Sequence, residues 1–197
     1  LDVLRIPALW LIAPIAIVGY VPAAAIRGAW MGPYLNEVHG LSSSEIGTAA
    51  LIMGIAMIGG VFLYGPLDRW FGTRKWVVFG GNILTLCFLL GLYAFGASSY
   101  IVTIIMLCGV GFFGATFPVV IAHGKGFFPA HLTGRGVTLL NMFSIGGVGL
   151  AQMVARPLHD SYQGTDAAAP FAAVFLLFAV MLITGLSLYL FSQDNTD

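Results

Sequence analysis

Charge is what this chain has least of. Only 8% of its 197 residues are Asp, Glu, Lys or Arg, and acids and bases cancel to a formal net charge of zero. A soluble globular domain carries roughly 25% charged residues, so no water-facing shell can be assembled from this composition. The lack of a basic excess argues against nucleic acid as a partner. Cysteine is scarce too. Cys87 and Cys108 lie in apolar runs and in no metal-ligand spacing, so a disulfide framework is not expected. No metal constellation and no convincing Ser/His/Asp or Cys/His set stands out, so neither a cofactor nor an enzyme activity is expected. Gly59-Gly60 and Gly146-Gly147 lie within apolar runs and are not phosphate loops. The first residue is Leu1 and no signal-peptide pattern opens the chain, which reads as a segment of a longer protein.

What the chain does have is apolar length. Hydrophobic residues make up 59% and the mean hydropathy is +0.95. Six apolar runs fall at about 9–35, 45–64, 75–96, 99–121, 136–155 and 170–192. Each reaches the ~20 residues a helix needs to cross the hydrocarbon core of a bilayer. The expectation is an all-α membrane protein, residues 1–197 forming one bundle of six transmembrane helices with lipid around it. An even number of crossings puts both termini on one side. That side carries Arg5, Arg69, Arg74, Lys75, Lys125 and Arg135, and the other only Arg156, beside Glu37, Glu45, Asp160 and Asp166. The positive-inside rule then places both termini in the cytoplasm, in a cell membrane such as a bacterial inner membrane. Small residues recur at close spacing: Ala50 and Gly54, Ala56 and Gly60, Gly111 with Gly114 and Ala115, and Gly146, Gly147 and Gly149. They let backbones approach, so helices two, four and five are expected to pack closely.

The connection between the second and third runs reads "YGPLDRWFGTRKW". Gly65 and Gly72 permit a tight turn, and Asp68 can cap a helix or pair with Arg69 or Arg74. This connection resembles the signature loop of the major facilitator superfamily, roughly G-x-L-a-D-R-x-G-R-K, through Gly65, Leu67, Asp68, Arg69, Gly72, Arg74 and Lys75. It departs from that pattern in lacking the small residue before the Asp and in carrying one extra residue between Arg69 and Gly72. "WMGPYLNEVHGLSSSEIG" and "FPAHLTGRGVTLLNMF" resemble facilitator chains as well. The resemblance covers essentially the whole chain and implies the carboxy-terminal half, built of two inverted three-helix repeats. A loose echo of "GPLDR" in "RPLHD", after helix five, has the placement such a repeat requires. The resemblance further implies a gating role for the loop. Asp68 would meet a helix of the missing amino-terminal six-helix half, or of a second copy. Helices one, two, four and five would line the cavity, with three and six toward lipid. Asn82 and Tyr93 on helix three would then be packing residues.

One charge lies inside the runs away from their ends: Arg27, in "YVPAAAIRGAWMGPY". An arginine at the centre of a membrane helix costs about 2.5–3.5 kcal/mol on insertion scales. Tyr20, Arg27 and Tyr34 are seven apart, which puts them on one helical face with Trp30 beside them. That face either looks into a water-filled cavity or lets Arg27 snorkel toward the interface. On helix five, Thr138, Asn141, Ser144 and Gln152 form a second polar stripe, which lines the cavity or bonds across helices. The expected substrate contacts are Arg27, Tyr20, Trp30, Tyr34, Asn141 and Gln152. His123 and His131 read as ordinary interface histidines. Arginine suits carboxylate or phosphate, so the expected function is secondary transport of a small organic or inorganic anion by alternating access, as symport with protons or antiport of a counter-anion. The alternatives are a multidrug or neutral-solute exporter, drawn from 13% aromatic residues and seven methionines, and a half-size unit or scaffold that acts as a homodimer.

Overall fold

A computed structural model of the chain describes residues 2–162, 164 and 166–194. Gln163 and Thr165, in the expected fifth connection, lie outside the described residues. The fold is all-α, with no strand among the described residues. Six helices are long and apolar enough to cross a membrane. They are α1 (Pro7–His39), α2 (Ser43–Phe71), α3 (Lys75–Phe95), α4 (Tyr100–Lys125), α5 (Thr133–Ser161) and α6 (Ala169–Tyr189). A single 3-10 turn, Ala130–Leu132, leads into α5.

Local chemistry sets several ends. At the start of α2, Ser42 and Glu45 form a capping box in which the Ser42 N–H donates to Glu45 Oε2 at 2.9 Å, satisfying donors that the first turn would leave open. Gly40 and Gly72 close α1 and α2 at φ of +66° and +63°, a left-handed backbone that glycine adopts without strain. Two expected boundaries are corrected here. α2 and α5 do not stop near residues 64 and 155. Each continues through a proline, Pro66 or Pro157, to a length of 29 residues. An apolar run ends where water begins, whereas a helix ends where its backbone is capped. "GPLDR" and "RPLHD" are therefore helical, and Gly65 is an ordinary helix residue with open space around its α-carbon. Only Gly72 makes the turn.

The packing shows a pseudo-twofold relation that exchanges α1–α3 with α4–α6. α2 packs on α4, and α5 packs on α1. A β-carbon on Gly60 would stand 2.1 Å from the Phe112 carbonyl oxygen, and one on Gly147 would stand 2.0 Å from that of Ile17. Each carbonyl lies two residues before the glycine at which its helix breaks, Gly114 in α4 and Gly19 in α1. The same backbone-on-glycine contact occurs once in each three-helix repeat, as inverted repeats require. Of α2, α4 and α5, expected to pack closely, α4 meets both of the others, while α5 packs in addition on α1 and α6 rather than on α2. Gly54 does not seat a helix either, since the Arg27 guanidinium lies beside it.

α3 and α6 lie against each other and against α4 and α1 respectively. Asn82 of α3 is fully buried and donates to Val78 O and Thr116 Oγ1, a packing role, while Tyr93 is 47% exposed. Only 17% of the apolar stretch of α2 and 22% of that of α5 are buried, against 39–61% for the other four. These two helices leave the widest faces of the bundle uncovered.

Candidate functional site

α1 is not one continuous α-helix. It breaks at Gly19–Tyr20, where Pro22 removes a backbone donor. It then widens into a π turn over Ile26–Trp30, with the Met31 N–H donating to Ile26 O. A π turn adds one residue to the helical circuit, which turns everything beyond it by about 100°. The seven-residue spacing of Tyr20, Arg27 and Tyr34 therefore does not put them on one face. Arg27 is exposed. Tyr20 is half-buried against Phe117, with ring centres 5.5 Å apart. Tyr34 is corrected from a cavity position to the core: it is 2% exposed and packs edge-on against Phe175 and His39.

The guanidinium of Arg27 lies beside Gly54 of α2, where a β-carbon would come within 3.2 Å of Nη2. Among the described residues Arg27 has neither a hydrogen bond nor an ion pair. A charged side chain in a membrane helix, unpaired among the described residues and facing an uncovered side, is available to a ligand or to another chain segment.

Trp30 and Gln152 are brought together. Trp30 Nε1 donates to Gln152 Oε1 at 2.7 Å, and Gln152 Nε2 reaches the Ala25 carbonyl at 3.5 Å. Ala25 immediately precedes the π turn, so Gln152 of α5 ties down the irregular part of α1. The remaining polar stripe of α5 is divided. Ser144 and Thr138 donate to carbonyls of their own helix. Asn141 is half-buried and makes no side-chain hydrogen bond among the described residues. Gln152→Leu would leave the Trp30 N–H without its acceptor. We expect a loss of about 1–3 kcal/mol, read as a lower melting temperature in detergent.

Beyond the Trp30–Gln152 bond, at the end of the bundle away from the termini, a cavity of about 450 Å³ opens between α1 and α5. Ala29, Pro33 and Glu37 line it from α1, and Arg156, His159 and Asp160 from α5. His159 packs between the Trp30 and Phe171 rings, with Nδ1 3.3 Å from Asp160 Oδ1. Sequence reasoning placed Arg156, His159 and Asp160 in a connection and missed this cavity. The signal was there in the four-residue spacing of Gln152, Arg156 and Asp160, which continues the α5 face.

At the terminal end, the expected gating residues sit on two elements. Asp68 and Arg69 ride the last turns of α2, and Gly72 and Arg74 form the turn. Arg74 Nε donates to Asp68 Oδ2 at 3.2 Å. Arg69 is exposed, and Lys75 starts α3 with its ammonium on the Leu190 and Ser192 carbonyls, each at 2.7 Å. His123 is buried and bonds to Tyr189 and to the Gln193 carbonyl, whereas His131 is exposed.

The bundle thus has six membrane-length helices in two pseudo-equivalent triplets, an arginine unpaired among the described residues, and a polar cavity between α1 and α5. No curated relative matches the chain. The family model of the Major Facilitator Superfamily matches residues 8–197, and the chain belongs to that superfamily of membrane transporters.

Proposed function

We propose that this chain is the carboxy-terminal half of a secondary transporter that moves a small organic or inorganic anion by alternating access, coupled to protons or a counter-anion. The observation that carries the anion reading is Arg27, exposed on α1, beside Gly54, and unpaired among the described residues. An arginine offers paired hydrogen-bond donors to carboxylate or phosphate, and an intramembrane charge of this kind marks a substrate path. The polar cavity formed by Glu37, Gln152 and Arg156 extends that path toward the far end. We assign Tyr20, Trp30 and Asn141 to the substrate path as well, with Trp30 positioned by its bond to Gln152. The partner is an amino-terminal six-helix half, or a second copy of this bundle, seated on the open faces of α2 and α5. The terminal end, which carries most of the basic residues, faces the cytoplasm of a cell such as a bacterium.

One observation favours the rival reading, a multidrug or neutral-solute exporter. α5 exposes Met142, Ile145 and Met153, the last at 73%, an adaptable apolar surface. Uptake into proteoliposomes by the full-length protein separates the two. Saturable accumulation of small carboxylates or phosphate, driven by a pH gradient or by internal counter-anion, supports the anion reading. Transport of apolar cations with no anion uptake overturns it.

A further inference from the structure

The turn between α2 and α3 is held from outside itself. Arg74, the residue just before α3, gives it no side-chain cap, and Thr73 Oγ1 accepts only the Trp76 N–H, at 3.2 Å. The cap for the Arg74 and Lys75 N–H groups comes from the far end of the chain. Asp194 Oδ1 accepts the backbone N–H of Arg74 at 3.2 Å and that of Lys75 at 3.0 Å, and Asp194 Oδ2 accepts the Thr73 hydroxyl. Lys75 Nζ returns the favour to α6, donating to the Leu190 and Ser192 carbonyls. An anion thus sits on the amino end of one helix and a cation on the carboxyl end of the other, each satisfying backbone groups that a helix leaves open. The segment between Tyr189 and Asp194 is fixed in turn by His123 of α4, which bonds to the Tyr189 hydroxyl at 2.7 Å and to the Gln193 carbonyl at 3.0 Å.

We propose that Asp194 is a positioning residue for transport: by capping α3 it sets the Thr73–Lys75 turn so that Arg74 meets Asp68, and thereby sets the balance between open and closed forms at the terminal end. Arg74 is both a residue whose N–H Asp194 holds and the donor to Asp68 at 3.2 Å. The two ends of that linkage are one residue apart in the chain or less, so loss of the cap moves the guanidinium directly. The carboxyl of Asp194 behaves as a committed cap. Burial alone would raise its pKa, but the hydrogen bonds from Thr73, Lys75 and Arg74, with His123 nearby, hold it below the ordinary carboxylate range.

The inference needs the chain to work as a transporter with a gate at this end, but it does not depend on the anion reading, because its first readout is independent of substrate. In the full-length protein in nanodiscs, Asp194→Ala should speed hydrogen exchange in the peptide covering residues 70–78 roughly fivefold, the effect of losing one cap. Thr73→Val, which removes both the bond to Asp194 and the cap on the Trp76 N–H, should speed exchange in the same peptide as well. A thiol placed at Arg69 (Arg69→Cys in a Cys87→Ser, Cys108→Ser background) should also change its labelling rate by a water-soluble maleimide in Asp194→Ala. The melting temperature should stay within a few degrees, and kcat for whatever solute is transported should change more than KM. Faster exchange together with altered labelling supports the inference. Unchanged exchange, or a lower melting temperature with labelling unchanged, overturns it, since a purely structural brace would lower stability without moving the gate.

Discussion

Gly147→Ala is expected to lower the melting temperature of the protein in detergent by several degrees, and Gly60→Ala is expected to do the same. A methyl group at either position would stand about 2 Å from a backbone carbonyl oxygen of the facing helix, Ile17 for Gly147 and Phe112 for Gly60. No side-chain rotation relieves that clash, because the atom in the way is main chain, so the helices must separate. Overpacking of this kind costs about 1–3 kcal/mol, and it works against helix propensity, which favours Ala over Gly by about 1 kcal/mol. Gly80→Ala is the control: it lies inside α3, in its second turn, with open space around its α-carbon, so it should be neutral or slightly stabilising. Equal melting temperatures for the Gly147 and Gly80 variants would show that the α1–α5 contact is looser than described. Because the two contacts are pseudo-equivalent, both variants should fail in the same way. One variant failing alone would weaken the twofold relation.

Much of this fold was legible because membrane insertion writes itself into composition. Runs of twenty apolar residues admit few structures besides helices, and all six spans lie where hydropathy puts them. What hydropathy could not locate were the helix ends. Pro66 and Pro157 look like terminators, yet α2 and α5 run on for five and four residues past them. The partners of the small residues were illegible for a related reason. Spacing says that a glycine can receive a neighbouring helix, not which one, and only the fold shows that Gly54 accommodates a side chain while Gly147 receives a backbone.

The site was legible in part. A lone arginine in an apolar run drew attention to α1, and Trp30 and Gln152, far apart in sequence, do meet. The π turn was not legible, and it undoes the face built from Tyr20, Arg27 and Tyr34. A helical wheel assumes one constant period, and "IRGAW" gives no local sign of an extra residue. The role of Asp194 was equally hidden. It is a polar residue after the last apolar run, and its partners are some 120 residues away.

Arg27→Ala carries the largest expected functional effect, and its sign on stability is opposite to its sign on transport. If the guanidinium holds the substrate anion, removing it should reduce kcat/KM by roughly 30-fold or more, the effect of deleting one partner of a desolvated, hydrogen-bonded charge pair at 2 kcal/mol and above. Arg27→Lys keeps the charge but loses the planar two-donor fork, so it should fall between wild type and Ala, with the difference largest for carboxylates that can bind both donors. Stability should go the other way. Arg27 has no partner among the described residues, so its removal breaks no bond to any of them. Loss of a charge from a membrane helix relieves up to about 2.5–3.5 kcal/mol of insertion cost. The Ala variant should therefore melt at the same temperature as wild type or above it, while transporting poorly. An arginine serving as a structural tie to another helix would give the reverse pattern, a lower melting temperature with substrate affinity intact. Added substrate sharpens the distinction. A saturating anion should raise the melting temperature of wild type by mass action and leave that of Arg27→Ala unmoved, a comparison that needs no transport assay and fails cleanly if both proteins respond alike.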